Sequence, residues 1–430
     1  MQQINFRSLL IVIVLFLNST ILTAQTANAD SVRLSLKQAE QLFLDSNFVL
    51  LAANYNIDAQ KALVEQAKLL DNPILVTDQN IYSNNRFFEH AKDASTGNPQ
   101  GQYFIQVQQL IRTAGKRSKL VNMASTNAAI SELQFKDVLR TLRFQLRSDY
   151  YLLMQQLSNL KLLLEQQSQL DKLLLAMEQQ LTIGNISQKD LLRLRAVVIS
   201  LDQDITDLQK QIADTQADLK MLLRVTSNSF IVPVDQFKNP DSVNTNLDQL
   251  ITIGKQNNPY YQIQQSQLIY QQQNLLYQKA LKAPDLTIGP EYDHNSNYIP
   301  HYVGVSISLP LTLFNKNQGN IKSAQFNVKQ QEAVGMQTAV ELDNQIANAY
   351  NKWLLTIKQQ MGTQHDFYEK YNLLFHKMTE SYKQRQVGLL EYLDFFNNYQ
   401  DAKIRLTKQQ LNVQMAAAEL NFFTGKDIIK

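Results

Sequence analysis

The chain has 430 residues, no cysteine, and 41 lysine and arginine residues against 38 aspartate and glutamate residues. The absence of cysteine excludes disulfides and thiolate metal sites, and so small a net charge argues against a nucleic-acid-binding surface. Glycine and proline are scarce, at 12 and 9 residues, which favours long uninterrupted helices over many short turns.

The first 29 residues have the pattern of a secretory signal peptide. Arg7 supplies a positive charge, residues 9–17 are all apolar, and the Ala-Asn-Ala sequence at 27–29 is typical of a cleavage site. Cleavage after residue 29 is preferred, and cleavage after residue 24 is the alternative. A transmembrane anchor needs roughly 18 apolar residues, and the polar residues at 18–20 end this run too early.

The rest of the chain contains an internal duplication. Both copies open with a capping residue followed three positions later by Gln, as in a capping box at a helix start. Three spacings relate the copies: 211 residues (Ser35 to Asn246, Pro73 to Pro284), 200 residues (Tyr150 to Tyr350) and 204 residues (Gly184 to Gly388, Asp190 to Asp394).

Each half predicts the order helix, strand, strand, very long helix, tight turn and return helix. For the first half, residues 30–224, we predict a helix at 36–70, strands at 74–83 and 102–110, a long helix at 116–183 and a return helix at 188–224. For the second half, residues 247–430, we predict a helix at 247–282, strands at 285–293 and 302–309, and helices at 320–386 and 390–424. Residues 225–246 contain two prolines and are predicted to be the linker.

The predicted strands alternate apolar and polar residues, which places one apolar and one polar face on opposite sides of a sheet. Later apolar runs are too short for a membrane helix, so a membrane-spanning part would have to be a β-barrel with lipid outside and water inside. A half-buried soluble hairpin would give the same alternation. The candidate lipid-facing residues are Tyr103, Ile105, Val107, Leu286, Ile288, Tyr292, Val303, Val305, Ile307 and Leu309.

The long helices are too long for a compact domain, since residues 116–183 would reach roughly 100 Å. Their leucines recur at spacings of four and three, the seam of a coiled coil, and uncharged amides fill the other faces. Four strands cannot close a barrel, because known single-chain barrels begin at eight. Two copies would give eight strands and three would give twelve, and periodicity does not choose between them.

Several motifs resemble those of the TolC family of outer-membrane efflux channels. The start Leu36-Lys37-Gln38-Ala39 and the turns at 184–187 and 388–390 are similar to family patterns. The segment from Ser308 to Ile321, SLPLTLFNKNQGNI, resembles the strand-to-helix junction of the cobalt-zinc-cadmium branch. The resemblance covers essentially the whole chain after the predicted signal peptide.

The resemblance implies a mainly helical fold with a small β part. Three copies would form a twelve-stranded barrel in the outer membrane and a helical tunnel in the periplasm. Such a homotrimer would be a passive exit duct that docks onto a periplasmic adaptor protein and an inner-membrane RND-type pump, with heavy-metal cations as a candidate cargo. The alternative is a periplasmic coiled-coil adaptor or scaffold without a barrel.

The sequence predicts no enzyme and no cofactor, because it lacks a glycine-rich phosphate loop, an HExxH pair and any other catalytic constellation. It predicts no metal site either. His365 and His376 lie about 16 Å apart along one helix, too far to share an ion. His294 and His301 flank a loop and could meet, but they lack a third ligand.

The turns at 184–187 and 387–390 are expected to form the periplasmic entrance, with the loops 84–101 and 294–301 at the opposite, outer end. Repeated by symmetry, acidic side chains at the entrance would favour cations, although Asp190 equally suits a helix-capping role. The entrance and selectivity candidates are Asp190, Arg385, Glu391 and Asp394. The candidates for adaptor contact are Gly184, Ile186, Val387, Gly388, Leu389 and Leu390, and the four apolar side chains among them are expected to be exposed at the tip.

Overall fold

The structure is a computed structural model that describes residues 31–83, 85–87, 95, 97, 103–237, 246–295, 299–362 and 365–429. The predicted signal peptide lies outside the described residues, as do most of the predicted loop 84–101 and part of the predicted linker.

Helices make up most of the described chain, and the β part is small. The helices are α1 (Leu36–Ser46), α2 (Phe48–Lys68), α3 (Lys116–Thr182), α4 (Gln188–Leu223), α5 (Leu247–Asn257), α6 (Pro259–Ala280), α7 (Gln318–Met361), α8 (His365–Lys383) and α9 (Leu389–Thr424). The strands are β1 (Ser31–Leu34), β2 (Ile74–Gln79), β3 (Tyr82–Ser83), β4 (Arg86–Phe87), β5 (Tyr103–Ile111), β6 (Phe230–Pro233), β7 (Leu286–Asn295) and β8 (Pro300–Ser308). No helix among the described residues is both long enough and apolar enough to cross a membrane.

The opening helix of each half is two helices, so the predictions of continuous helices at 36–70 and 247–282 are wrong. Asn47 separates α1 from α2, and Asn258 separates α5 from α6. Each asparagine has extended backbone angles, and its side-chain oxygen accepts hydrogen bonds from the first turn of the next helix. An asparagine that caps a new helix competes with continuation of the preceding one.

The long helix of the second half is also interrupted, whereas α3 runs unbroken over 67 residues. The prediction of one helix over 320–386 is wrong, since α7 ends at Met361 with Gly362 as its C-cap and α8 begins at His365. Glycine is about 1 kcal/mol less favourable than alanine inside a helix, which makes Gly362 a weak point.

Four strands form one antiparallel sheet in the order β2, β5, β7, β8. The two halves of the chain meet in this sheet where β5 pairs with β7. The sequence analysis missed a second, parallel pair of short strands, β1 with β6. Strand β6 lies inside the segment predicted to be a linker, and its Ile231 is fully buried.

The buried apolar side chains form three clusters along the helices. One includes Phe43 and Leu146 and joins α1, α3, α4 and β6, and a second includes Ile346 and Trp353 and joins α5, α7 and α9. The third, which we call the tip core, joins α3, α4, α8 and α9 next to the two helix turns and includes Phe375.

The return helices α4 and α9 both have 36 residues and are related by a spacing of 201. The spacing of 204 predicted for this region is therefore wrong. That spacing aligned Gly184 with Gly388. The residue with left-handed backbone angles is Gly184 in the first turn, with φ 76°, and Arg385 in the second, with φ 60°. Asp190 accordingly corresponds to Glu391.

Candidate membrane sheet and channel entrance

The ten candidate lipid-facing residues lie on one side of the four-stranded sheet or on its continuation at Leu309. In the observed register Ile105 is opposite Tyr292, and Tyr292 is opposite Val303. Residues two apart along a strand share a face. The register therefore assigns the alternating apolar residues of three adjacent strands to the same face.

This face is exposed in the single chain, while the other face is polar and more buried. Val303, Val305 and Ile307 are 75%, 63% and 68% exposed. On the opposite face the side-chain amide of Gln106 donates a hydrogen bond to Glu291 at 2.8 Å. A large contiguous apolar surface of this kind marks a face that contacts lipid or another protein.

The junction between β5 and α3 is fixed by a partly buried ion pair. Lys116 Nζ lies 2.6 Å from Asp285 Oδ1, and it also donates to the carbonyl of Ala283 at 2.6 Å. Asp285 in turn accepts from the backbone nitrogen of Thr113 at 2.8 Å. These bonds join the start of the long helix in the first half to the first strand of the second half.

His294 and His301 meet at the end of the sheet that carries the loop 294–301. Their rings are 4.7 Å apart, Tyr292 Oη lies 2.8 Å from His301 Nδ1, and Tyr103 stacks on His294 at 4.5 Å. Among the described residues no group of three or more histidine, cysteine, aspartate or glutamate residues is arranged to hold a metal ion.

Asp190 lies at the first helix turn as part of a cap on α4. Ser187 Oγ accepts a hydrogen bond from the backbone nitrogen of Asp190 at 3.1 Å and donates one to its carboxylate at 2.7 Å. A carboxylate in the first turn of a helix is also stabilised by the helix dipole. The geometry therefore gives Asp190 a structural role in capping.

The acidic residues of the second turn are exposed, and they do not gather around Arg385. Arg385 donates to the side-chain oxygen of Gln180 at 3.2 Å, which links the two turns. Asp394 accepts from Asn398 at 3.2 Å, and Glu391 is in the first turn of α9. In the part of the chain that the structure describes, no ion pair joins Arg385 to an acid.

The candidates for adaptor contact include exposed, partly buried and buried residues. Leu390 is 63% exposed, and a side-chain atom added at Gly184 or Gly388 would meet open space. Ile186 packs against the tip core, and Val387 is partly buried. Leu389 is buried, so the expectation that it is exposed at the tip is wrong. As the first residue of α9 it packs into the tip core instead.

Sequence reasoning missed the aromatic side chains of the tip core. Phe375 stacks on Tyr399 at 4.1 Å, and Tyr382 stacks on Tyr392 at 4.9 Å. Burial raises the pKa of Tyr382, and the nearby charge of Asp190 raises it further. The signal was present in the sequence, because Tyr392, Phe396 and Tyr399 recur at spacings of four and three on one helix face.

Residues 289–426, from the last strands through the return helix, match the family model described as "Outer membrane efflux protein". The chain is also 21% identical over 396 residues to the cobalt-zinc-cadmium resistance protein CzcC of Cupriavidus metallidurans, covering 91% of this chain and 90% of that protein. The chain is therefore similar to outer membrane efflux proteins.

Solved structures with the same fold extend over nearly the whole chain. A membrane protein from Pseudomonas aeruginosa has a TM-score of 0.74 at 14% identity, with 91% of this chain and 92% of that chain covered. The channel-forming protein CusC has a TM-score of 0.69 at 17% identity, with 93% and 94% covered. These likenesses show that the chain shares the fold of these membrane proteins.

Proposed function

We propose that this protein is the outer-membrane component of a tripartite efflux system and acts as a passive exit duct. Three copies pool their sheets into a twelve-stranded barrel in the outer membrane and their helices into a periplasmic tunnel. An inner-membrane RND-type pump and a periplasmic adaptor deliver the cargo to the tunnel entrance. The likeness to CzcC makes heavy-metal cations the first cargo to test.

The observation that carries the proposal is the sheet itself. It has one exposed apolar face, one polar face, and two edge strands, β2 and β8, that have no further strand partner among the described residues. An open edge within a bilayer would leave backbone groups without hydrogen bonds, so a barrel must close. Copies that pair edge to edge satisfy this requirement, and three copies of four strands give twelve.

Membrane fractionation and detergent extraction test this assignment. We expect the protein to be recovered with outer-membrane markers, to resist extraction by salt, and to have the mass of three chains by light scattering in detergent. In planar bilayers it should give stable single-channel currents. A monomeric protein that is freely soluble without detergent would contradict the proposal and favour a periplasmic scaffold.

We further propose that exposed acids near the second turn give the entrance its preference for cations. Glu391 and Asp394 are both exposed, and three copies would place six carboxylates around the pore. Asp190 is a weaker candidate because Ser187 already engages its carboxylate. The double variant Glu391→Gln with Asp394→Asn keeps the side-chain shapes and should lower the cation preference of single-channel currents. An unchanged reversal potential in a salt gradient would remove these residues from the selectivity mechanism.

The exposed residues Gly184, Gly388 and Leu390 are proposed to contact the adaptor, because they lie at the turns and leave room for a partner. Leu390→Asp should weaken adaptor capture while leaving bilayer currents unchanged. The matched control is Leu192→Asp, because Leu192 on α4 is also exposed, at 53% against 63% for Leu390. Equal adaptor capture by both variants would argue against this contact.

A further inference from the structure

The segment between β8 and α7 is apolar and exposed, and it is longer than the equivalent connection in the first half. Residues 309–317 connect the strand to the helix, whereas residues 112–115 make the equivalent connection in the first half. Leu311, Leu313 and Phe314 are 76%, 65% and 92% exposed. Such side chains on one short segment indicate a surface that another part of the assembly covers.

The internal duplication gives the residue-by-residue relation between the two halves at this point. Gly115 and Asn317 are the left-handed residues directly before α3 and α7, so β5 and β8 are related by a shift of 202. Pro73 and Pro284, directly before the first strand of each half, are related by a shift of 211.

The observed strand registers obey these two shifts. Opposite residues in β2 and β5 have numbers that add to 182, as in Ile74 with Gln108. Adding both shifts to this value gives 595, which is the value observed for β7 with β8, as in Thr287 with Ser308. The two halves therefore have the same internal strand register.

The pairing of β5 with β7 is the junction between halves within one chain, and opposite residues add to 397, as in Ile105 with Tyr292. The same junction between two copies would join β8 of one copy to β2 of the next. Adding 202 converts a residue number in β5 to the equivalent one in β8, and subtracting 211 converts one in β7 to the equivalent one in β2. The residue numbers opposite each other at the junction between copies therefore add to 388. The opposite residues are then Leu309 with Gln79, Leu311 with Thr77, and Leu313 with Leu75.

We propose that residues 309–313 complete strand β8 by pairing antiparallel with β2 of a second copy in this register. This inference rests on the proposed function, because it requires copies that associate edge to edge. In the first half the corresponding residues already pair, since Ile111, which corresponds to Leu313, is opposite Leu286. Within one chain, residues 309–313 form no strand, and the backbone nitrogen of Leu313 donates to the carbonyl of Leu311 at 2.9 Å. Pairing with β2 of the next copy would replace this turn.

The proposed register also pairs residues of the same face of the sheet, which a register shifted by one residue would not do. All three pairs join odd-numbered residues, and in both strands these belong to the face that carries Val303, Val305 and Ile307. A slip by one residue would place the leucines opposite side chains of the polar face. Leu75 is 66% exposed in the single chain, so the proposed pairing brings two exposed leucines together.

The two kinds of junction differ in chemistry. Within the chain, Lys116 forms an ion pair with Asp285 at 2.6 Å. At the junction between copies, the same shifts replace Lys116 by Gln318 of one copy and Asp285 by Ile74 of the neighbouring copy. This junction therefore lacks the ion pair. It depends on apolar contact and on backbone hydrogen bonds.

Disulfide cross-linking tests the register directly because the chain has no cysteine. Two double variants sample both kinds of antiparallel pair: Leu311→Cys with Thr77→Cys, and Thr312→Cys with Val76→Cys. Their matched controls within one chain are Gln109→Cys with Ile288→Cys, and Leu110→Cys with Thr287→Cys, since the structure places these residues opposite each other. A shifted control, Leu311→Cys with Leu75→Cys, is out of register by two residues.

After mild oxidation in detergent, at least one of the two double variants should give covalent dimers and trimers that reducing agent converts to monomers. The controls within one chain should form disulfides but keep the mobility of a monomer. The shifted pair should cross-link at least about five-fold less, because disulfides form only when the two Cβ atoms lie within roughly 4.5 Å.

Two results would overturn the inference while leaving the channel assignment intact. One is a conducting trimer in which neither in-register pair cross-links better than the shifted pair, and the other is a trimer in which the shifted pair is the most efficient. A protein that is monomeric by light scattering in detergent would remove both the inference and the proposed function.

Discussion

The two halves of the chain have left-handed backbone angles at equivalent ends of their return helices, but they exchange glycine and arginine at these positions. The helix turn at the tip has left-handed Gly184 in the first half and left-handed Arg385 in the second. At the far end of the return helices the order is reversed, with Arg224 in the first half and Gly425 in the second. The comparison shows that the fold requires left-handed backbone angles at these four positions. It requires glycine only where there is no room for a Cβ atom.

Gly425 is the position where space is missing, and its substitution should have the largest effect. A Cβ atom there would lie 2.5 Å from the backbone oxygen of Asn257, at φ 69°. Gly425→Ala should destabilise the protein by about 3 kcal/mol, because strain from left-handed angles adds to a backbone clash. Denaturant unfolding in detergent, followed by circular dichroism at fixed protein concentration, measures the change.

Gly184→Ala is the matched control, because it has the same kind of backbone angles with open space around the added atom. It should cost only about 1 kcal/mol, the strain alone. Equal losses for the two alanine variants would show that the approach of Asn257 does not matter.

Arg147 connects the two halves, and its removal should have the next largest effect. It donates to Glu40 of α1 at 2.6 Å and makes two bonds to Asp427, after α9, at 2.7 and 3.1 Å. Arg147→Ala should destabilise by about 1–2 kcal/mol, since charge-assisted bonds are strong but these partners are partly exposed. Arg195→Ala, which removes an exposed pair with Glu178, should change the free energy of unfolding by less than about 0.5 kcal/mol.

The effect of Arg147 should depend on pH. The hydrogen bond from Arg147 lowers the pKa of Asp427. A carboxylate with a lowered pKa stabilises the fold above its ordinary pKa of about 3.9 and loses that contribution as the pH falls through the folded pKa. The stability difference between the natural protein and Arg147→Ala should therefore be full at pH 7 and shrink below about pH 4. A difference that is constant from pH 7 to pH 3 would exclude the Asp427 bond as its source.

The N-terminal caps of the return helices give a third, smaller contrast. Ser187 caps α4 through its side chain, whereas Gly388 occupies the same position before α9 without a side-chain bond. Ser187→Ala should cost about 1 kcal/mol, and Gly388→Ser should gain a few tenths of a kcal/mol. The same unfolding measurement checks both, and a Gly388→Ser variant that is clearly destabilised would show that this turn needs glycine for another reason.

Much of this comparison was predictable from the sequence, because periodicity reports which face of an element is apolar. The alternation from Val303 to Ile307 predicted one face of the sheet, and glycine scarcity predicted the long helices. The sequence did not predict where helices stop. Asn47 fits a helix interior as well as a cap, and its tertiary bond to Leu222 shows which applies. Asn258 did carry a signal that the sequence analysis overlooked, because Pro259 is typical of the first position of a new helix.

The tip turns show a different limit of sequence reasoning. Aligning glycine with glycine placed Gly184 opposite Gly388 and Asp190 opposite Asp394. The backbone places Arg385 at the left-handed position, because the turn geometry is fixed by hydrogen bonds from residues 184 and 385 back to residues 181 and 382. Residue type is a poor guide where a long side chain is tolerated at positive φ, and the error related Asp190 to Asp394 instead of Glu391.

Arg385 gives a smaller expected effect than Gly425 or Arg147, and it is the most direct test of the exchange between halves. Arg385→Gly should stabilise the protein by about 0.5–1 kcal/mol, because glycine adopts left-handed angles without strain and the side-chain hydrogen bond to Gln180 that is lost is exposed. Arg224→Gly should give no gain, since Arg224 stacks on Phe48 at 3.5 Å and donates to the carbonyl of Ser46 at 3.1 Å. Unfolding in detergent compares the two variants under identical conditions. If both were stabilised equally, the contacts of Arg224 would not compensate its backbone strain, and the two left-handed arginines would be equivalent.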